Sequence, residues 1–418
     1  LTTEDVGPGR ETNMHDKARV VIVGGGIAGS SIAYHLAQLG WRDIVVVEQG
    51  ELISGTTSHA PGLVGQLRSS LSLVEMLVYS ISLYRRLELD GIPGYLREGS
   101  LRVASSKERM IQIRELVEGA LTMGLDAQLL GPREAAQRFP LMTLDGIEGA
   151  AYLPHDGSAT ASVLAGALIR DATASGVTFY PRTPVSAIEV KGRRVRAVVT
   201  SAGRIETEVV VVAAGIWSPL IGRLAGVDIP LTPLQHQYVI TEPMPELRSR
   251  IVPNFRDPDK LFYMRQNGES LVIGGYERPA RPWDVDAIPT GADPTVRSFD
   301  PVQYEPIRRY AIERIPSLAS VGVTRQVNGL ESFTPDGEFL LGPASEVEGF
   351  WAACGFCAHG VSGAGGVGKV MAEWIANGDP GLDLSAMDLR RFRGRALDKA
   401  AIQKGACEVY DTYYDIKA

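Results

Sequence analysis

One stretch constrains this chain more than any other: residues 18–50, ARVVIVGGGIAGSSIAYHLAQLGWRDIVVVEQG. An apolar run, a glycine turn, a small-residue helical pattern, a glycine stop and a second apolar run follow in order. That succession is a βαβ unit. Gly24, Gly26 and Gly29 supply G-x-G-x-x-G, and Glu48 ends the second run 19 residues after Gly29. Glycines let backbone N–H groups and a helix N-terminus approach a pyrophosphate, while the acid accepts ribose hydroxyl bonds. The plain alternative is a glycine turn kept for packing. With both strands, the helix and the acid in register, a dinucleotide site is the stronger reading.

The motif alone does not choose between FAD and NAD. Two distant segments tilt it towards FAD, which spans a long groove and needs backbone from several places. One is the strand-like VVVVAAGIWSPL, carrying Gly215; the other is the late loop CGFCAHGVSGAGGVGKVMAEW, where Gly360 opens a helix. A helix N-terminus there can stabilise charge developing on a reduced flavin.

Composition narrows the rest. The 418 residues carry a net charge of −7, which argues against nucleic acid and against a polybasic membrane anchor. No stretch approaches the roughly 18 apolar residues of a membrane-spanning helix, so no membrane insertion is expected. Residues 1–17 read as a loose arm without signal or transit character, with Met14 as a candidate natural start. Three cysteines, Cys354, Cys357 and Cys407, cannot build a disulfide framework, which favours a reducing compartment and a cytoplasmic protein, a mitochondrial matrix being compatible.

Along the chain, helical and strand patterns divide it into a discontinuous FAD-binding domain (18–97, 150–228 and 322–385), a β-rich substrate domain (98–149 and 229–321) and a C-terminal tail (386–418). The expected fold class is α/β, a Rossmann-like FAD-binding domain joined to a β-rich substrate domain.

Four segments taken together, VVIVGGGIAGSSIAYHLAQLGWRDIVVVEQG, GTTSHAPGLV, PLQHQYVIT and SFTPDGEFLLGP, resemble the FAD-containing half of the dimethylglycine oxidase/dehydrogenase and sarcosine dehydrogenase family, within the D-amino-acid-oxidase-like flavoproteins. The resemblance runs from about residue 18 to 415. It implies that His59, in TTSHAPG beside Ser58, carries FAD through a covalent bond to the flavin 8α carbon, a reasonable reaction for a neutral imidazole. Read without the resemblance, a lone loop histidine is a capping residue. The resemblance also implies that His236 in LQHQYV and Tyr263 in LFYMRQNG face the substrate, where they would set the protonation and orientation of an amine. By residue pattern alone both belong to strands, where such groups are commonly packed and hydrogen bonded.

Arg265, Arg278 and Arg325, with Tyr238 and Tyr276, are candidates for holding a substrate carboxylate, and no clamp is assigned among them. Cys354 and Cys357 with His359 are too few for a zinc site, so no metal is expected; small buried residues beside the flavin is the better reading, a thioether link to FAD the weaker rival to His59. The implied reaction is oxidative N-demethylation of a small N-methylated amino acid or amine. The alternatives are Cα oxidation of a secondary amino acid such as proline, a nicotinamide-dependent dehydrogenase, and a non-catalytic FAD subunit. The family further implies a folate-binding domain or subunit for the released one-carbon unit, and oxygen or an electron-transfer protein as acceptor.

Overall fold

Strand β1, Val20–Val23, has all four residues buried, because it is covered on both faces as parallel sheets are. Helix α1, Ile27–Gln38, and strand β2, Ile44–Val47, complete the expected βαβ unit. The structure is a computed structural model and describes residues 14–288, 297–395 and 397–416. Most of the expected N-terminal arm, residues 1–13, therefore lies outside the described residues; Lys17 already bridges to Glu206.

Further along the chain come β3, Val210–Val212; β4, Thr232–Thr241; β5, Phe262–Asn267; β6, Ser270–Gly275; β7, Val323–Phe333; helix α2, Gly360–Asn377; and helix α3, Lys399–Asp411. The first sheet has the order Thr178–Tyr180, β2, β1, β3, Phe350–Cys354, Leu340–Pro343, parallel except for its last strand. Alternation sorts its side chains: Val20 and Ile22 join the helix-side core, whereas Val21 and Val23 join the core shared with a three-stranded antiparallel sheet over residues 185–206. Helices α1 and α2 pack against each other on the helix side.

The second sheet has eight strands in the order β7, β4, β6, β5, Asn254–Asp257, Ser100–Ala104, Gly149–Leu153, Gln128–Leu130. One face packs Phe139, Phe255, Phe262 and Ile307 into a core closed by the helix Pro301–Arg314. Beside it the Arg314 and Asp257 side chains form a buried ion pair of 3.1 Å. The opposite face looks back at the glycine turn.

Two boundaries differ from the sequence expectation. Strand β7, expected with the FAD-binding part, pairs antiparallel along β4 from Thr232↔Phe333 to Thr241↔Val323, so that its eleven residues are matched along nearly their whole length. The expected C-terminal tail contains α3, which packs on β4 and β7 and buries Tyr410. Among the described residues, no helix is long and apolar enough to cross a membrane.

Candidate active site

A cavity of about 350 Å³ runs between the two sheets, from Gly24, Gly26 and Glu48 at one end to His236, Tyr263 and Tyr276 at the other. At its first end the chain leaves β1 through Gly24, whose φ of +117° L side chains rarely adopt and where a Cβ would meet Ala213 O at 2.3 Å. Gly29 does not line the cavity. A Cβ there would lie 2.0 Å from Gly24 O, so its role is the close approach of α1 to the turn. Glu48 accepts from Gly25 N at 2.8 Å and Gly50 N at 2.9 Å, which fixes its carboxylate at the cavity wall. Gly215, with φ +54°, and Gly360, the first residue of α2, line the wall further along.

The loop after β2 forms a short 3-10 turn, Thr56–His59. Thr57 Oγ1 accepts from Ile27 N at 3.1 Å and so caps the first turn of α1. Ser58, expected at the cofactor, is exposed instead and donates to Gly55 O at 2.9 Å, while Thr57 and Ala60 form the wall. His59 is buried just outside the lining residues, with its ring against Gly329 of β7, the cross-strand partner of His236.

Strand alternation explains the other end. Phe262 and Met264 face the core of the second sheet, so Tyr263 between them faces the cavity. Leu234 packs in the same cavity-side cluster, and His236, two residues on, lines the cavity. His236 Nε2 lies 2.6 Å from Tyr263 Oη, its Nδ1 lies 2.9 Å from Tyr410 Oη, and Tyr410 donates to Glu277 Oε2 at 2.8 Å. Burial, with a smaller contribution from His59, lowers the His236 pKa to about 3, so the ring is neutral. With Glu277 ionised, Tyr410 Oη donates to it and accepts from His236 Nδ1–H, and Nε2 then accepts from Tyr263. In that state the network leaves the Tyr263 oxygen as an acceptor towards the cavity. Burial raises Glu277 to about 7 and holds the Tyr263 and Tyr410 phenols well above their ordinary value.

Of the residues considered for a carboxylate, Tyr276 lines the cavity and stacks on Tyr413 at 3.9 Å between ring centroids. Tyr238 does not line it. Arg265 is turned to Pro61 O and Gln266 O, Arg278 pairs with Asp415, and Arg325 sits on an exposed part of β7. The cavity arginines are Arg68 and Arg256. Arg68 Nε donates to His359 Nε2 at 3.0 Å, and Tyr413 Oη lies 2.9 Å from the same nitrogen. Burial, then Arg68 and Arg256, hold His359 well below its ordinary pKa, so it serves as an acceptor. Asp156, the acid that raises the Arg68 pKa, is itself pushed up to about 6 by burial.

Sequence reasoning missed Arg68, Arg256, Tyr410, Glu277 and Glu331, and took His359 only as an insufficient zinc ligand. One signal was present, the tyrosine run YDTYYD at 410–415. Cys354 and Cys357 are buried free thiols raised to about 12 by burial, and only Cys357 lines the cavity. No group of metal-binding side chains occurs among the described residues.

These features fit FAD. The turn at Gly24 has no room for a side chain, Glu48 is fixed at the end of β2, and the cavity continues past Gly215 to the start of α2. Fold and site define a dinucleotide-binding flavoprotein of the two-sheet kind. The profile of the DAO family, FAD dependent oxidoreductase, matches residues 19–374, and the chain belongs to that family. It is 36% identical to the mitochondrial sarcosine dehydrogenase of Homo sapiens over 99% of this chain and 46% of that protein. It is 34% identical to the formaldehyde-forming 4-methylaminobutanoate oxidase of Paenarthrobacter nicotinovorans over 95% of this chain and 48% of that protein. The chain spans about half the length of these curated relatives. Among solved structures, L-proline dehydrogenase from P. horikoshii superposes with a TM-score of 0.82 at 25% identity, covering 91% of this chain and 99% of that one.

Proposed function

We propose that this chain oxidises a small N-methylated amino acid, dimethylglycine- or sarcosine-like, to an iminium whose hydrolysis removes the methyl group as formaldehyde. The observation that carries the reading is the buried His236–Tyr263 pair at the end of a cavity that begins on the glycine turn. When bound, FAD supplies a two-electron acceptor for hydride from the carbon beside nitrogen.

The protein's own residues do the rest. Tyr263, its proton committed to His236, offers an oxygen lone pair to an amine N–H and orients it. His236, neutral down to pH about 3, adds no positive charge to oppose a developing iminium. Arg68 and Arg256 match a substrate carboxylate. Gly24, Gly26 and the N-terminus of α1 would hold the pyrophosphate, Glu48 the ribose, and Gly215 with Gly360 the flavin end.

The proposal extends to His59 as a covalent tether for FAD: its neighbour Ala60 lines the cavity and its ring lies against the strand that carries Glu331. Acid precipitation tests it. A yellow pellet and a flavin mass on the His59 peptide are expected, with His59→Ala releasing its FAD; flavin wholly in the supernatant overturns the tether. The reaction is tested by anaerobic mixing with a panel of N-methyl amino acids. Flavin bleaching with formaldehyde formation is expected, and no bleaching by any of them overturns the reading.

A second reading, Cα oxidation of a secondary amino acid, is favoured by the close superposition on L-proline dehydrogenase. Bleaching by proline without formaldehyde from any N-methyl substrate would select it. Two partners complete the proposal: a folate-binding domain or subunit to take the one-carbon unit, and an electron-transfer protein or oxygen to take the electrons.

A further inference from the structure

We propose that Glu331 is the group that meets the cationic amine of the substrate, so that the site selects a zwitterionic N-alkyl amino acid over an uncharged isostere. This rests on the amine-oxidising reading above. Glu331 lies on β7 opposite Leu234 and lines the cavity with His236, Tyr263 and Tyr276. Its Oε2 is buried and has no hydrogen-bond partner among the described residues.

The groups around it leave its charge uncompensated. From β4 come His236 and Tyr238, from β5 Tyr263, from the end of β6 Tyr276, from α3 Tyr410, and from the 3-10 turn His59, with Glu277 a second carboxylate acting on the same Tyr263 and Tyr410. The phenols have raised pKa values and His236 is neutral. Two cations lie near Tyr238: Arg325, on the exposed end of β7, and Arg265, which donates to Pro61 O and Gln266 O. A buried carboxylate without a cation is unfavourable when ionised. Accordingly, burial raises Glu331 to about 7. An arriving ammonium supplies the missing charge.

The arginine side of the cavity has the opposite excess, and Tyr276 senses both Arg68 and Glu331. One wall therefore suits a carboxylate and the other an ammonium. Once the ion pair is buried, low polarity favours its neutral form. The N–H bond breaks, the proton goes to a Glu331 oxygen, and the electron pair stays on nitrogen. That lone pair is what iminium formation requires.

The test uses the flavin-loaded protein and two ligands that cannot be oxidised at nitrogen. Trimethylglycine keeps a permanent cation, and 3,3-dimethylbutanoate is its uncharged isostere. Affinities are read from the shift in flavin absorbance. Wild type should prefer trimethylglycine by at least about tenfold at pH near 8, the low end for a close, desolvated charge pair, and the preference should shrink as pH falls through about 7. In Glu331→Gln the ratio should approach one and lose its pH dependence, while Glu331→Asp keeps part of both. An unchanged ratio in Glu331→Gln overturns the proposal, even where N-methyl amino acids still bleach the flavin and the functional reading stands. A collapsed ratio without bleaching by any amine supports recognition by Glu331 and sinks the functional reading instead. Should Glu331→Gln fail to retain flavin, a wild-type ratio that is flat between about pH 6 and 8.5 overturns the proposal by itself.

Discussion

The two ends of the cavity are built from different materials. At the glycine turn the wall is mostly backbone: Gly24, Gly26 and a helix start, with Glu48 as the one fixed carboxylate. At the other end it is side chain: His236, Tyr263, Glu331, Arg68 and Arg256, gathered from separated elements and buried with charge out of balance. At Gly24 the backbone wall has no room for an added carbon, whereas a side-chain wall tolerates volume and is sensitive to a lost proton or charge. The glycine end is thus a steric device and the opposite end an electrostatic one.

The largest expected effect comes from adding one carbon to the backbone wall. Gly24→Ala combines a disfavoured φ of +117° with a contact of 2.3 Å to Ala213 O. Together these should cost roughly 3–5 kcal/mol. The expected outcome is loss of bound FAD and a clearly lower Tm, read from the flavin-to-protein ratio and thermal unfolding. Full flavin content with an unchanged Tm would mean that the turn is not sterically closed.

Next comes charge at the opposite end. Arg68→Ala should weaken binding of a carboxylate ligand about hundredfold, or ~2.7 kcal/mol, with FAD content preserved. Arg68→Lys should restore little, because a point charge does not reproduce the guanidinium fork. Titration of flavin absorbance with a carboxylate ligand measures both. Equal affinities in wild type and Arg68→Ala would remove Arg68 from substrate binding.

Tyr263→Phe keeps the ring and removes the 2.6 Å contact to His236 Nε2. Flavin reduction at saturating amine should slow by about 10- to 100-fold, with KM changed much less. Since His236 is neutral above pH about 3, no limb near its ordinary pKa should appear in the wild-type profile. A limb that His236→Gln abolishes would contradict the assigned neutral ring.

The same contrast explains what was legible in the sequence. The glycine turn was readable because its parts lie within 25 residues, Gly24 to Glu48, and each follows from local backbone demands. Strand alternation was readable too, and it is why Tyr263 and His236 reach the cavity; their roles, however, came from family resemblance. Arg68 and Arg256 have no local mark, since nothing near them in sequence separates a buried guanidinium from a surface one. Proximity to motifs pointed to Arg265, Arg278 and Arg325, but folding turns these to backbone carbonyls, a surface carboxylate and an exposed strand. Tyr410 was hidden by its place in an expected tail. Its contact with His236 spans 174 residues and depends on how α3 lies across β4 and β7.

The smallest expected effect separates the two tyrosines that share His236. Tyr410→Phe removes the acceptor of Nδ1–H and a donor to Glu277, but leaves the Tyr263 contact to Nε2. Flavin reduction should fall by less than about tenfold. Its sharper signature is stability against pH. The folded Glu277 pKa is raised from 4.5 to about 7, chiefly by burial, with the Tyr410 hydrogen bond acting to lower it. A raised carboxyl pKa means stability present below 4.5 and lost as pH rises through about 7. Without Tyr410 the folded pKa rises further, so that loss continues above 7. The deficit of Tyr410→Phe relative to wild type should therefore be larger near pH 8.5 than near pH 5, by about 1 kcal/mol. Denaturant midpoints at the two pH values measure it. An equal deficit at both would show that Tyr410 supports the site by packing alone, leaving Tyr263 as the tyrosine whose hydroxyl matters.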